Sequence, residues 1–308
     1  MTSFRLTKND NSSLPRSFKS FLYNSKEYLE ANKTQNYRCF YLEKGNSVAA
    51  HLTVVLDKGS GFSPQKAPFG GIEFNEDLTS DELKDWLVQI EDELKTMDIY
   101  QLELHQAPEI YQSQSSLNQA LTSLGYHLKQ ERIFHVISVD QRQLVDKMHA
   151  MEKRRLLKAQ KAGCVFKQYA SNDLIHVYER IKLWRDLSEK PLSLEWSEID
   201  AASQLNPYAY LSFGIELKGE MIAATIAIKV NETSLYHFFP ASTNQYNTLS
   251  PMVMLVDELY TWCQSHQITL LDLGTSYVKG KRKDSLVQFK ENMGAVPYLA
   301  FSWQKTLS

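Results

Sequence analysis

The chain reads as a mixed α/β protein, an α+β mixed sheet built as two copies of one unit in tandem. Three observations carry this reading. Short runs rich in branched residues alternate with longer stretches whose apolar residues recur at helical spacing. Glycine stops two of the helical stretches, at Gly125 and Gly294. One order of elements, strand hairpin, helix, strand, helix ending at glycine and final strand, occurs from 37 to 139 and again from 210 to 303. Little residue identity accompanies it, so the repeat is one of order and stop signals.

Residues 1–16 are polar and proline-bearing and read as a loosely attached arm. Phe18, Phe21, Leu22 and Leu29 suggest a first helix. Residues 37–43 and 48–57 form two strands around the Lys44-Gly45-Asn46 turn, a hairpin signal. Residues 59–71 are rich in glycine and proline and read as irregular. Within them, Pro68-Phe69-Gly70-Gly71 sets an aromatic ring beside backbone that can approach a ligand closely; the alternative is a loop rounding a sheet edge. Leu83, Trp86, Leu87, Ile90 and Leu94 recur at helical spacing behind Thr79 or Ser80 as cap, with Asp81 and Glu82 in the first turn. A strand at 100–104, a helix at 117–124 and a strand at 132–139 complete the first copy.

Between the copies, 141–162 reads as one helix carrying Lys147, Lys153, Arg154, Arg155, Lys158 and Lys161 against only Asp146 and Glu152. Spacings of seven, four and three place Lys147, Arg154, Lys158 and Lys161 on one stripe. Two readings stay open, a solvated helix face and an anion-binding face. Residues 171–190 look helical, and 191–207, with Glu195 and Trp196, is a connecting loop or broken helix.

In the second copy, apolar runs at 221–230 and 234–239 flank Asn231-Glu232-Thr233, as in a hairpin with a short polar turn. Ser250 as N-cap and Pro251 at the first helical position open a helix over 252–262. Residues 268–273 are too short and too branched for a helix and read as a buried strand ended by Gly274. A basic loop with Lys279, Lys281, Arg282 and Lys283 then feeds a helix over 285–292 and a last strand over 297–303.

This order resembles the C-terminal half of a GNAT acyltransferase. It is more closely similar to the Fem-like, peptidoglycan-bridge type of tandem GNAT protein, through Leu271-Asp272-Leu273-Gly274, the basic segment after it, and Leu286-Val287-Gln288-Phe289-Lys290 closing on Gly294. The resemblance implies two GNAT-like domains. They are set here at 1–140, for acceptor recognition or scaffold, and 141–308, for the acyl donor. It implies an N-acyltransferase that moves an acyl or aminoacyl group to an amine, such as a cell-wall precursor or a nucleotide-linked peptide. The donor would be acyl-CoA or aminoacyl-tRNA, a co-substrate, so no tightly bound cofactor is expected. In that family a Lys/Arg-rich segment opening the second domain is associated with phosphate-bearing substrate. The substrate-binding candidates are Lys153, Arg154, Lys158, Lys161, Lys279, Lys281, Arg282 and Phe69. Coenzyme A-using relatives commonly cradle pyrophosphate in a Gln/Arg-x-x-Gly-x-Gly/Ala loop. Here Gln245-Tyr246-Asn247-Thr248-Leu249-Ser250 stands instead, with no glycine between Glu220 and Gly274.

A helix N-terminus attracts phosphate unless acidic side chains already occupy it. The first copy's helix starts Ser80-Asp81-Glu82 with Asp85 close behind; the second copy's starts Ser250-Pro251-Met252-Val253 and has no acid until Asp257. Each such charge is worth about 0.3–1 kcal/mol at an exposed end. The donor is therefore expected on the second copy, at Asn247, Ser250, Met252 and Val253.

Acyl transfer to an amine needs a base, a donor for the carbonyl oxygen and an acid for the leaving group. Asp272 and Tyr277 are the candidate base and acid, His237 is a second candidate base, and backbone N–H groups where the Ile226 strand splays would polarise the carbonyl. Each side chain has a structural alternative: Asp272 capping the turn at Gly274, Tyr277 packing, His237 satisfied in the core. No Gly-x-Ser-x-Gly elbow exists.

Bulk properties bound the rest. The 308 residues suit two domains, and no run reaches the roughly 20 apolar residues of a membrane helix. Arg5, Lys8, Asn9 and Asp10 do not resemble a signal peptide, so a cytoplasmic location is expected. Cys39, Cys164 and Cys263 outline no disulfide framework, and the eight scattered histidines lead to an expectation of no metal. A net charge of −2 excludes wholesale coating of nucleic acid yet leaves room for a local basic patch, and tRNA stays a candidate partner. The rival reading is a non-catalytic GNAT-like protein that binds an anionic, phosphate-bearing ligand.

Overall fold

The computed structural model describes residues 2–7, 13–63, 66–190, 192–278 and 281–307. They form two compact units, one of Met1–Ile133 with Tyr298–Ser308 and one of Phe134–Pro297. The division differs from 1–140 and 141–308 because two long strands change unit part-way. In the first unit the closing strand comes from the end of the chain, and in the second it comes from residues before 140.

The first unit contains β1 (Thr2–Thr7), α1 (Lys26–Ala31), β2 (Tyr37–Lys44), β3 (Ser47–Asp57), β4 (Ser60–Phe62), β5 (Ile72–Phe74), α2 (Ser80–Thr96), β6 (Gln101–His105), α3 (Ser115–Ser123) and the start of β7 (His127–Ser138). Within the arm expected over 1–16, residues 2–7 are not loose: β1 runs antiparallel to β2 from Thr2↔Lys44 to Thr7↔Cys39. Its alternation is limited to Phe4 and Leu6, too short a pattern to mark a strand by itself, and the pairing comes from β2's ladder with an Arg5–Glu43 ion pair at 2.9 Å. Only α1 and the single turn Leu22–Asn24 are helical in the first expected helix. Residues 59–71 are not wholly irregular either, because β4 pairs in parallel with β6. The α2 start follows the sequence: the Thr79 hydroxyl accepts from the Glu82 N–H and the Glu82 carboxylate from the Thr79 N–H. Its apolar face, Leu83, Trp86, Leu87, Ile90 and Leu94, packs on Leu52, Leu102, Leu104 and Leu117.

The second unit contains the rest of β7, then α4 (Leu144–Lys147), α5 (Ala150–Lys161), β8 (Cys164–Tyr169), α6 (Leu174–Leu187), α7 (Trp196–Leu205), β9 (Tyr210–Leu217), β10 (Glu220–Asn231), β11 (Ser234–His237), β12 (Ala241–Ser242), α8 (Pro251–Ser265), β13 (Leu270–Thr275), β14 (Tyr277–Val278), β15 (Lys281–Arg282), α9 (Asp284–Asn292) and β16 (Val296–Thr306), which ends in the first unit. The single basic helix expected over 141–162 is two helices. Met148 and His149 are extended, and the His149 ring accepts from the Met151 N–H to start α5 afresh. Lys147 therefore leaves the stripe, donates to the Ser138 carbonyl and lies 3.1 Å from Asp140. Of the two alternatives at 191–207, connecting loop or broken helix, the second fits: the segment contains α7, opened by a capping box between Glu195 and Glu198. Strands β8, β9, β10 and β11 are antiparallel neighbours, and β11 then pairs in parallel with β13. Leu255, Val256, Leu259 and Tyr260 of α8 pack on Phe213, Ala227, Leu235 and Leu271 of that sheet.

One polar cluster ties the first unit's N-terminal segment to its sheet. His51 and Glu73 are fully buried, with Nδ1 and Oε2 2.8 Å apart. Glu73 also accepts from the Phe21 N–H and lies 3.8 Å from Arg16. Burial, the largest influence on His51, lowers its pKa, but hydrogen bonds to Cys39 and Glu73 and the Glu73 charge carry it to about 9. A folded pKa above the ordinary 6.5 means the stabilisation is complete below about pH 6.5 and is lost as pH rises through 9. Urea titrations should accordingly show stability declining between those limits by up to about 3 kcal/mol. Glu73→Ala should cost about 3–5 kcal/mol at pH 6.

Candidate active site

In open α/β sheets ligands collect outside the carboxyl ends of parallel strands, where chain direction makes a crevice. The parallel pairing in the second unit is brief, Ser234↔Leu270 to Tyr236↔Asp272, with α8 as crossover. Beyond it the strands part. β11 ends opposite Ala227, and the next strand beside β10 is β12 at Ala241. In the gap the Ile226 carbonyl accepts from the N–H groups of both Phe238 and Phe239, which is the splay expected at Ile226. Phe238 stacks on Phe239 at 3.8 Å and lies 5.6 Å from Tyr236.

Three residues shape the end of β13. Asp272 is fully buried, and its Oδ1 accepts from the Gly274 N–H at 2.6 Å, the capping alternative foreseen for it. Gly274 has φ +71, and a Cβ there would stand 2.8 Å from the Tyr236 ring. From α9, the Lys290 ammonium donates to the carbonyls of Gly274 at 2.8 Å and Thr275 at 2.7 Å. Burial lowers the Lys290 pKa to about 8 against the opposing pull of Asp272. Lys290 was not among the site residues read from sequence, although Phe289-Lys290 was visible; that a lysine would fold inward onto a turn 16 residues away has no local signature.

The other expected residues fall as follows. His237, the last residue of β11, is buried and held to about 3 by burial and then by the Lys290 charge, so it is a weak base. Tyr277 is not packed; it is exposed on the ribbon of β14 and β15, opposite Arg282. Lys281 and Arg282 are exposed there, with Arg282 3.2 Å from Asp284, while Lys279 lies outside the described residues.

Ser250 does not cap α8 with its hydroxyl. It takes a left-handed conformation, φ 52, and no side-chain cap bond forms, because the helical turn Asn244–Leu249 runs directly into it. The Val253 side chain is buried and its N–H donates to the Ser250 carbonyl, which removes it from the donors expected for phosphate. Asn247 is exposed, Ser250 and Met252 are half-buried, and no acid stands in the first turn. Helix α5 packs against α8 and the 244–249 turn. Arg154, Lys158 and Lys161 are exposed and Lys153 half-buried, and none of these four side chains has an ion-pair or hydrogen-bond partner among the described residues. Arg155, by contrast, is engaged by the buried Glu152 at 2.8 Å.

The corresponding place in the first unit is filled. At the end of the parallel β4 and β6, the Gly70 N–H donates to the His105 carbonyl. Phe69 is fully buried with ring centroids 5.6 Å from Phe21, 5.2 Å from Tyr23 and 5.1 Å from Tyr111. Phe69 is thus a packing residue and not the ligand-facing ring considered for it.

No family model matches the chain, and no curated protein matches it in sequence. Among solved structures it is similar to FemX, at 12% identity over 94% of this chain and 93% of that one, with a TM-score of 0.74. L-PGS from Bacillus licheniformis aligns at 12% identity over 92% of each chain, TM-score 0.60. A tandem GNAT protein from the clavulanic acid biosynthesis pathway, solved without AcCoA, aligns at 9% identity over 100% of this chain and 99% of that one, TM-score 0.54. At such identities the likeness is one of fold: this is a mixed α/β chain with the tandem GNAT, Fem-like fold.

The clamp at Gly274 can be checked by stability. Gly274→Ala meets both a positive φ and the Tyr236 ring, and should cost about 1–3 kcal/mol in urea unfolding. An alanine at Gly219, whose φ is +81 with open space around it, isolates the backbone share.

Proposed function

We propose that this chain, on its tandem GNAT fold, is an N-acyltransferase whose second unit holds a phosphate-bearing acyl donor. The carrying observation is the α8 entrance, free of acids in its first turn and packed beside α5, whose Lys153, Arg154, Lys158 and Lys161 side chains are unpaired among the described residues. FemX, L-PGS and the tandem GNAT protein lend the acyl-transfer reading their fold. Phosphates of the donor, acyl-CoA or aminoacyl-tRNA, lie across the α8 N-terminus and the Lys153, Arg154, Lys158 and Lys161 face. The first unit, its own crevice filled by Phe69, serves acceptor recognition or scaffold, and a nucleotide-linked amine suits the remaining cations.

In this reading the thioester or ester carbonyl sits at the splay beyond Tyr236 and Asp272. The acceptor nitrogen attacks the carbonyl carbon and the carbonyl oxygen takes up negative charge. Lys290, fixed by two carbonyls, keeps one of its three N–H donors for that oxygen, and a positive charge pre-set in a buried site needs no reorganisation. Asp272 acts through the turn: it holds the Gly274 N–H and keeps the neighbouring ammonium charged. The exposed Tyr277 hydroxyl is the candidate for protonating the leaving group, and His237 the candidate for the amine proton, limited by its low pKa.

Lys290→Met should lower kcat by on the order of 10²–10³ while leaving donor affinity intact. With Lys290 required as the cation, wild-type activity should fall as pH rises past about 8. Reversing Arg154 and Lys158 to glutamate should raise the donor KM about tenfold or more, with an effect that weakens in high salt.

A second reading, favoured by the engagement of Asp272 in capping, is a non-catalytic protein that binds an anionic ligand on the same face. It requires the charge reversals to abolish ligand binding while Lys290→Met and Tyr277→Phe change nothing measurable. A turnover assay on all three variants decides between the two.

A further inference from the structure

Two phenylalanines at the splay stand where a regular strand would not put them. Between His237, opposite Ala227, and Ala241, opposite Ala224, the chain of β11 and β12 advances four residues while β10 advances three. The N–H groups of Phe238 and Phe239 both donate to the Ile226 carbonyl, each at 3.1 Å. Two residues set against one on the partner make a β-bulge, so β11 and β12 are one strand interrupted at this pair. Successive side chains of a strand point to opposite faces. Here the two rings stack instead, with centroids 3.8 Å apart and planes 18° apart. The bulge is also braced from α6, where the Arg185 guanidinium donates to the Pro240 carbonyl at 3.4 Å.

A bulge gives up a ladder position and re-aims side chains, commonly beside a site. What this one presents is apolar and flat. Phe239 is buried, while Phe238 is half-buried and lies 5.6 Å from the half-buried Tyr236. Tyr236 in turn packs on Gly274, whose carbonyl Lys290 holds, so the rings continue from that clamp. A partly open aromatic face gains most from a ring or a branched apolar group laid against it, which removes both surfaces from water. An acetyl or glycyl group has nothing to lay there. We propose that Phe238, backed by Phe239 and flanked by Tyr236, is the surface that selects an aromatic or large apolar side group on the transferred acyl group. The assignment to an acyl group rests on the transferase reading; the aromatic surface itself rests on the bulge and the ring geometry.

The test uses the full chain, isotope-labelled in its phenylalanine and tyrosine rings, with phenylpropionamide and propionamide as NMR probes. The Phe238 and Tyr236 ring signals, each identified by its loss in a Phe238→Leu or Tyr236→Leu variant, should shift with phenylpropionamide and not with propionamide. Phe238→Leu, shown folded by an otherwise unchanged spectrum, should weaken the Tyr236 response about tenfold, and Phe238→Tyr, which keeps a ring, should retain it. Equal shifts with both probes, or none with either, would overturn the surface. Donor binding is then titrated in two pairs, phenylacetyl-coenzyme A against acetyl-coenzyme A, and phenylalanine against glycine esterified to one and the same tRNA. In whichever pair binds, the aromatic member should bind about tenfold or more tightly, and Phe238→Leu should narrow that ratio. Equal or reversed affinity within the pair overturns the inference with donor binding intact. Binding of neither pair, with the ring shifts preserved, removes the transferase reading and leaves an aromatic-group site standing.

Discussion

Much of the second unit's functional geometry depends on one turn gripped from both sides. The Asp272 carboxylate takes the Gly274 N–H, and the Lys290 ammonium takes the Gly274 and Thr275 carbonyls. Opposite charges thus satisfy donor and acceptor groups of a backbone segment that has left the sheet ladder, where unmet groups would be costly. The same contacts set three elements against one another. Strand β13 supplies Asp272, α9 is drawn in by Lys290, and β11 presses the Tyr236 ring against Gly274 so closely that only glycine fits. The crevice where the two parallel strands part is therefore a consequence of the clamp, and the fully buried Asp272 is better understood as its anchor than as a group that meets solvent.

The two units follow one plan and finish it differently. Each runs antiparallel strands into a short parallel pair spanned by a helix, α2 in one case and α8 in the other. In the first, Thr79 and Glu82 satisfy the N–H groups at the helix start, and Phe69 with its aromatic neighbours fills the ground at the strand ends. In the second, the helix start has no acid and the strand ends carry polar side chains. Duplicating a scaffold leaves two possible sites, and packing has closed one of them. That asymmetry supports assigning donor chemistry to the second unit.

Elements with strong local signals were legible. Thr79 with Glu82, Pro251 before an apolar run, and the Lys44-Gly45-Asn46 turn each state their structure through nearest neighbours, and the helices and hairpin stand where they are read. What failed depended on distant partners. Thr2–Thr7 offers only Phe4 and Leu6 as apolar alternation, and its strand is made by pairing with β2. Helix 141–162 breaks at Met148 and His149, where the His149 ring starts a new helix, and this carries Lys147 off the cationic stripe. The Ser250 hydroxyl was expected to cap α8, but the turn before it forces a left-handed backbone that points the side chain elsewhere.

The amino-acid order by itself determined the tandem α/β plan, the positions of most helices and strands, and the contrast between an acid-bearing and an acid-free helix start. These rest on periodicity, capping and charge within a few residues of one another. Tertiary structure decided which side chains meet: that Lys290 returns to Gly274, and that Phe69 is enclosed by Phe21, Tyr23 and Tyr111. Such meetings are made by strand register and helix packing across many residues, and register is a property of the assembled sheet that no single segment contains.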